Sequence, residues 1–140
     1  MHVTHFLSPI GPIEIKEESG YIMWVSFLNA EPNHSDSNTV LDNCVAQLDE
    51  YFKGERKEFD LPLAPGGTPF QQKVWDELLH VPFGKTASYM DIAKNLGDTK
   101  STRAVGLANG KNPIAIIIPC HRVIGSDGSL TGYAGGLKRK

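Results

Sequence analysis

The residues best suited to chemistry are Cys120 and the two basic residues that follow it, His121 and Arg122. A cysteine attacks as its thiolate, and a neighbouring imidazole or guanidinium group favours that form. The apolar residues 112–119 predict buried, extended chain that would hold the thiol in place. The glycine-rich residues 125–136 would let a substrate approach the backbone. The pattern therefore predicts a nucleophilic cysteine.

Two other interpretations of this stretch stay open from the residues alone. A zinc site needs three or four ligands, which one cysteine and one adjacent histidine do not supply, so we expect no metal. The other histidines are scattered along the chain. A buried cysteine beside a surface histidine, with no chemical role, is the default interpretation of the dipeptide taken by itself. Cys44 lies on or near an apolar helical stripe and is predicted to be a buried core thiol.

Composition and charge limit the class of protein. With 140 residues, 40% of them hydrophobic and 21% charged, the chain suits one globular domain or two small ones. It has no apolar run long enough for a bilayer, no features of a secretory signal and only two cysteines. We therefore expect a cytoplasmic protein that does not associate with membranes.

The net charge of −2 hides an asymmetry between the two halves. Residues 1–67 carry 4 Lys/Arg against 11 Asp/Glu, whereas residues 68–140 carry 10 against 5. The C-terminal half alone is therefore predicted to meet a polyanion. Chance clustering of surface charges is an equally good explanation of this feature by itself.

The first half of the chain is predicted to be a small α/β scaffold domain over residues 1–62. Ile13 and Ile15 alternate with charged residues, and an apolar run follows at residues 21–28, so both segments predict strands. From Val40 the apolar residues recur at helical spacing, which predicts a helix. Residues 63–67, Leu-Ala-Pro-Gly-Gly, are a linker by composition.

The second half, residues 68–140, is predicted to be largely helical. Residues 68–71, Thr-Pro-Phe-Gln, have the form of a capping box with proline at the first helical position. Residues 89–96 and 101–108 predict two short helices around a glycine-containing turn, as in a helix-turn-helix. Arg103 would lie near the start of the second helix, where recognition helices contact a DNA groove. The alternative is an ordinary surface arginine.

Several motifs, taken in order, resemble the O6-alkylguanine-DNA alkyltransferase family. They cover the C-terminal half densely: Tyr89, Arg-Ala-Val-Gly at 103–106, Asn112, Pro-Cys-His-Arg-Val at 119–123 and Tyr-Ala-Gly-Gly at 133–136. The N-terminal half matches only in general layout. The resemblance implies an α+β fold, with a ribonuclease H-like α/β domain followed by a winged helix-turn-helix-like domain. It also implies a monomer that needs no cofactor and whose partner is double-stranded DNA containing O6-alkylguanine.

The resemblance implies a single-use transfer of the alkyl group from O6 of a flipped-out guanine to Cys120. His121 would act as base through a water, and Arg103 would enter the space that the base vacates, from the minor groove. Tyr89 would donate to the guanine ring, and the carbonyls of Cys120 and Val123 would accept from its exocyclic amine. The other implied roles are substrate contacts by Tyr133 and Ala134, DNA contacts by Ala104, Gly106, Asn109, Arg122 and Gly135, and a structural hinge at Asn112 and Pro119.

The chain departs from the family pattern at two places. In the family a glutamate on a final helix orients the histidine, and the sequence stops at Lys140 before that position. We expect the missing residues to lie beyond the sequence given. Ala134 stands where the family usually has serine.

Two functions from other classes remain alternatives to the alkyltransferase. One is a catalytically silent protein that binds alkylated guanine and recruits other repair factors, although family relatives of that kind lack the cysteine. The other is a cysteine hydrolase, which would need a separate oxyanion hole and usually a distant histidine.

Overall fold

Two compact units, Met1–Pro65 and Gly66–Lys140, make up the chain in a computed structural model. The structure describes residues 1–29 and 35–124, with the side chain of Ile124 left out. The predicted α+β class is confirmed, since a sheet with one long helix is followed by a mainly helical unit. Tyr133, Ala134 and Gly135, which the sequence assigns to the site, lie outside the described residues.

The first unit is an antiparallel sheet of order β1-β2-β3 with one helix. Its elements are β1 (His2–Ser8), β2 (Gly11–Glu18), β3 (Tyr21–Phe27) and α1 (Thr39–Phe52). β2 and β3 are joined by a tight turn in which Ser19 and Gly20 both have positive φ, the geometry that matches the twist of a hairpin. Ile13 and Ile15 are fully buried on one face of β2, as their alternation predicts.

Glu17 continues the buried face of β2 and is only 5% exposed. Its carboxylate accepts hydrogen bonds from the backbone N–H of Gly20 at 2.7 Å and the amide of Asn38 at 2.8 Å, and it lies 3.0 Å from Nδ1 of His2. Asn38 is also the N-cap of α1, where its Oδ1 accepts from the N–H of Leu41. Glu17 therefore links the sheet, the hairpin turn and the start of the helix.

The predicted linker begins later than its composition indicates. Leu63 forms a parallel bridge with Ile22 of β3, and the N–H of Ala64 donates to the carbonyl of Ile22 at 2.9 Å. Residues 63 and 64 therefore belong to the first unit, which ends at Pro65. Backbone hydrogen bonds to an exposed strand edge overrode the loop preference of this proline-rich segment.

The second unit consists of short helices and one pair of two-residue strands. Its elements are α2 (Pro69–Leu78), β4 (Ala87–Ser88), α3 (Tyr89–Asn95), α4 (Thr102–Gly110) and β5 (Val123–Ile124), with 3₁₀ turns at Thr99–Ser101 and Cys120–Arg122. The predicted capping box at the start of α2 is confirmed. Oγ1 of Thr68 accepts from the N–H of Gln71 at 3.1 Å, and Oε1 of Gln71 accepts from the N–H of Thr68 at 3.0 Å.

Trp75 joins α2 to the C-terminal end of α4. Its indole N–H donates to the carbonyl of Ala108 at 2.9 Å, and its side chain is 2% exposed. A Cβ on Gly67 would lie 2.5 Å from the Trp75 ring, so the chain can pass this close only with glycine there. The end of α4 is thereby held from the side of α2.

Residues 112–119 are buried as predicted, but the prediction of extended chain is wrong. The N–H of Ile118 donates to the carbonyl of Ile114, and the N–H of Ile117 donates to that of Ala115, so the segment turns back on itself. Ile116 has φ of +71°, a left-handed conformation that is costly for a β-branched residue. Ile116 is only 6% exposed, so the strained backbone conformation occurs at a residue that is buried.

Candidate active site and DNA-binding surface

Cys120 is the first residue of a 3₁₀ turn and is 2% exposed. Its N–H donates to the carbonyl of Ile118 at 2.8 Å. Its own carbonyl accepts from the N–H of Val123, which closes the turn, and from the amide of Asn109 at 3.4 Å. The backbone is therefore fixed on both sides of the thiol-bearing carbon.

Asn112 holds the chain that leads into this turn. Its amide nitrogen donates to the carbonyls of Ile118 at 2.8 Å and Ile114 at 3.2 Å, and its Oδ1 accepts from the N–H of Ile114 at 2.9 Å. Asn112 is buried and lies just after α4, whereas Pro119, the second residue assigned to the hinge, immediately precedes Cys120. The end of α4 and the approach to Cys120 are thus joined by hydrogen bonds.

The pairing of β4 with β5 brings Tyr89 to the same region. The two strands are parallel and Val123 lies opposite Ala87, so the first residue of α3 follows one strand directly while the Cys120 turn precedes the other. The Tyr89 side chain is 8% exposed. A Cβ on Gly106 of α4 would lie 3.2 Å from its ring, so the ring packs against the helix at that glycine. The small size of Gly106 makes room for the Tyr89 ring, while its predicted DNA contact stays a prediction.

Helix α4 has one exposed and one buried face. Arg103, Ala104 and Leu107 are exposed, Leu107 to 65%, and they share a face because Leu107 follows Ala104 by three residues and Arg103 by four. Two further exposed cations, Lys100 and Lys111, lie just before and just after the helix. The exposed face is therefore flanked by cations at both ends and has an apolar side chain near its centre. Cations suit a polyanion, and an apolar side chain suits insertion into one of its grooves.

Asn109 does not lie on that exposed face. The resemblance to the family implied that Asn109 contacts DNA, but its side chain is completely buried and its amide faces the Cys120 carbonyl. The correction follows from helical geometry, since residue 109 falls on the same side as the buried Val105 and Ala108. In the structure Asn109 therefore makes a contact inside the unit and none at its surface.

Arg122 makes contacts within the second unit. Its guanidinium donates to the carbonyl of Val81 at 2.8 Å and lies over the ring of Phe83, 5.6 Å from the ring centroid. The side chain is half-buried. Arg122 thus ties the turn that bears Cys120 to the loop after α2, a contact that the resemblance did not imply, while its DNA contact stays a prediction.

The two cysteines lie in different surroundings. Burial raises the pKa of Cys44 to about 12, and the side chain is 0% exposed in α1. Cys120 instead begins a turn and is followed by the half-buried His121. Across residues 1–29 and 35–124, no group of three or more His, Cys, Asp or Glu side chains could hold a metal ion. Of the two thiols, Cys120 has the surroundings of a nucleophile.

Two family models together account for nearly the whole chain. The ribonuclease-like domain of 6-O-methylguanine DNA methyltransferase matches residues 1–65, and the DNA binding domain of the same family matches residues 69–140. The chain belongs to this methyltransferase family. Both halves of the predicted resemblance are confirmed, including the N-terminal half, where the sequence showed only a general layout.

Curated relatives of the family match over almost their full length. A methylated-DNA–protein-cysteine methyltransferase of Methanosarcina acetivorans is 47% identical over 100% of this chain and 94% of its own length. A crystal structure of the Mycobacterium tuberculosis O6-methylguanine methyltransferase is 45% identical in sequence and has a TM-score of 0.88. The match covers 99% of this chain and 87% of that chain. A second structure of the M. tuberculosis protein, in complex with DNA, is 45% identical and has a TM-score of 0.89. The match covers 99% of this chain and 88% of that chain.

Proposed function

We propose that this chain repairs DNA by direct reversal, transferring an alkyl group from O6 of guanine to Cys120. The observation that carries the proposal is the Pro-Cys-His-Arg turn of a methyltransferase-family chain, hydrogen-bonded to a helix whose outer face is basic. In the reaction the Cys120 thiolate attacks the alkyl carbon, a C–S bond forms and the C–O6 bond breaks. The thioether is stable, so each molecule reacts once.

Proton transfers accompany this displacement. The Cys120 proton passes to His121, through a water, before the sulfur attacks. Guanine leaves with the electron pair of the broken C–O6 bond, and the hydroxyl of Tyr89 stabilises that leaving group by donating a hydrogen bond. The position of Tyr89 supports this role, because the β4–β5 pairing brings its helix alongside the Cys120 turn.

Helix α4 contacts the DNA through its exposed face. The alkyl carbon lies inside the base stack, so the nucleotide must leave the duplex at a cost of a few kcal/mol. Arg103 is exposed near the start of the helix and fills the vacated space, while Ala104 permits close approach. Lys100 and Lys111 contact phosphates on either side.

The proposal extends to specificity and setting. The substrate is duplex DNA carrying O6-alkylguanine, on which the protein acts as a monomer in the cytoplasm. The chain has only two cysteines, Cys44 and Cys120, which fits a reducing compartment better than a disulfide scaffold. In the part of the chain that the structure describes, no helix has the length and apolar character to cross a bilayer.

The decisive test is the mass of the protein after incubation with duplex DNA containing O6-methylguanine. We expect one methyl group per molecule, located on the peptide that contains Cys120. Cys120→Ser should abolish the transfer, whereas Cys44→Ala should preserve it per folded molecule. Tight binding without any mass change would refute the transfer and favour the non-catalytic binding protein.

A further inference from the structure

Asn109 is a fully buried amide whose hydrogen bonds are incompletely satisfied. Its nitrogen donates to the Cys120 carbonyl across a separation of 11 residues. Its Oδ1 is buried without a hydrogen-bond partner, the one such side-chain oxygen or nitrogen found within residues 1–29 and 35–124. A buried acceptor left unpaired destabilises the folded state, because it has lost its hydrogen bonds to water and gained none in return. A leucine of similar size would fill the same space without that cost.

The contact reaches the reactive residue itself. Asn112 holds the chain before Cys120, through the carbonyl of Ile118, but it does not bind Cys120. The N–H of Val123 reaches the Cys120 carbonyl from within the same turn. The hydrogen bond from Asn109 reaches the Cys120 carbonyl from α4, the helix whose opposite face carries Arg103.

We propose that Asn109 is a positioning residue, whose amide fixes the Cys120 carbonyl to α4 and so sets the direction of the thiol. The inference rests on the proposed alkyl transfer. In-line displacement requires the sulfur to lie opposite the leaving oxygen, and an error of about 1 Å in such an alignment can cost about a hundredfold in rate. An amide suits this position better than a leucine does, despite its unpaired oxygen. Its nitrogen holds the backbone of Cys120 in register with the DNA-contacting helix α4.

The test uses Asn109→Leu, which keeps the volume and removes the donor. Single-turnover alkylation is followed against substrate concentration, for duplex DNA containing O6-methylguanine and for free O6-benzylguanine. We expect the maximal rate per folded molecule to fall about tenfold on both substrates, whereas the half-saturating duplex concentration stays within twofold. A loss on both substrates places the defect at the thiol rather than at the DNA surface.

Gln47→Leu is the matched control for lost stability. Gln47 is also a buried amide, 4% exposed, and it bonds the backbone of Asp60 through both its oxygen and its nitrogen in the first unit. Its replacement should lower the melting temperature without changing the rate per folded molecule. If Asn109→Leu does not fold, Asn109→Asp is used, because it keeps the size and places an acceptor where the donor was. It should be slowed at least as much.

The outcomes separate this role from the function on which it rests. If the wild-type protein transfers the methyl group and the Asn109 variant stays within twofold of its maximal rate, Asn109 is only structural and the inference is overturned. If the loss appears only with duplex DNA, Asn109 acts on binding and the inference is also overturned. If the wild-type protein itself transfers nothing, the proposed function fails.

Discussion

At the scale of the residue, the difference between the two cysteines comes from their surroundings. Cys44 is sealed in α1 and has a pKa of about 12, so at neutral pH only about one molecule in 10⁵ carries the thiolate. Cys120 is also buried, but it lies at the start of a turn with its backbone held by α4. Burial in apolar surroundings favours the neutral thiol, whereas a polar turn and an adjacent imidazole favour the reactive thiolate.

Arg103→Ala should separate DNA handling from the chemical step. We expect repair of O6-methylguanine in duplex DNA to slow at least tenfold, because nothing then fills the space left by the extruded base. Reaction with free O6-benzylguanine should stay within twofold, since no base stack has to be opened. Arg56→Ala, an arginine of the first unit paired with Glu50, is the control and should alter neither rate. Equal losses on both substrates would contradict the role.

At the scale of the element, local signals in the sequence predicted the helices and central strands well. The capping box at Thr68 and the alternation of Ile13 and Ile15 each depend on neighbouring residues, so they are legible in the sequence. β1 was not predicted, because Thr4 is its one buried residue and an edge strand with mixed exposure lacks a clear alternation.

The parts that sequence reasoning missed depend on contacts between distant residues. Residues 112–119 read as extended because they are aliphatic, but hydrogen bonds from the Asn112 amide fold them back. The resemblance to the family implied DNA contacts for Asn109 and Arg122. Their partners, Cys120 and Val81, lie 11 and 41 residues away, and no local pattern reveals such pairings. The helical period did carry one usable signal, since it places residue 109 on the same face as Val105.

Gly106→Ala should disturb the packing of α4 against Tyr89. The new methyl group would lie 3.2 Å from a ring that is 8% exposed, so the ring has to shift by a few tenths of an ångström. The higher helix propensity of alanine, about 1 kcal/mol, offsets this strain in stability but not in placement. We expect a severalfold slower transfer with both duplex and free-base substrates. Gly66→Ala, where nothing lies within 4 Å, should leave the rate unchanged.

Glu17 should make the first unit sensitive to acid. The N–H of Gly20, followed by the Asn38 amide, holds the pKa of this carboxyl below its ordinary value of 4.5. The unfolded chain therefore binds this proton more tightly than the folded chain does. The contribution of the Glu17 carboxylate to folding stability is complete above about pH 4.5 and is lost as the pH falls through the folded pKa. Urea unfolding between pH 3 and 6 should show a steeper loss for the wild-type protein than for Glu17→Gln. Parallel curves would exclude the link.

At the scale of the whole molecule, charge is divided between the units. Residues 1–67 carry a balance of −7 and residues 68–140 a balance of +5, which the net value of −2 conceals. Charge assigned by unit therefore predicts nucleic-acid binding better than the isoelectric point of 6.2 does. Because like charges repel, we expect the contacts with DNA to come from the second unit rather than from the acidic first unit.

The salt dependence of DNA binding should be determined by the cations of the second unit only. Replacing Lys100 and Lys111 by glutamine should reduce the slope of log Kd against log salt by about 0.9 for each phosphate contact removed. Fluorescence anisotropy of a labelled duplex at several salt concentrations gives that slope. Lys53→Gln with Lys57→Gln, two cations of the acidic first unit, should leave it unchanged. A similar fall in the control pair would show that the charge division does not govern binding.

The hydrogen bond from Trp75 to Ala108 has a practical consequence. The chain has two tryptophans, of which Trp75 is 2% exposed and bonded to the end of α4, while Trp24 is 39% exposed in the other unit. A buried indole emits at shorter wavelength than one in water, so the blue side of the intrinsic fluorescence belongs to Trp75. Any event that displaces the C-terminal end of α4, base extrusion or alkylation of the neighbouring sulfur included, should shift that emission. Trp75 is therefore an intrinsic optical probe of the C-terminal end of α4.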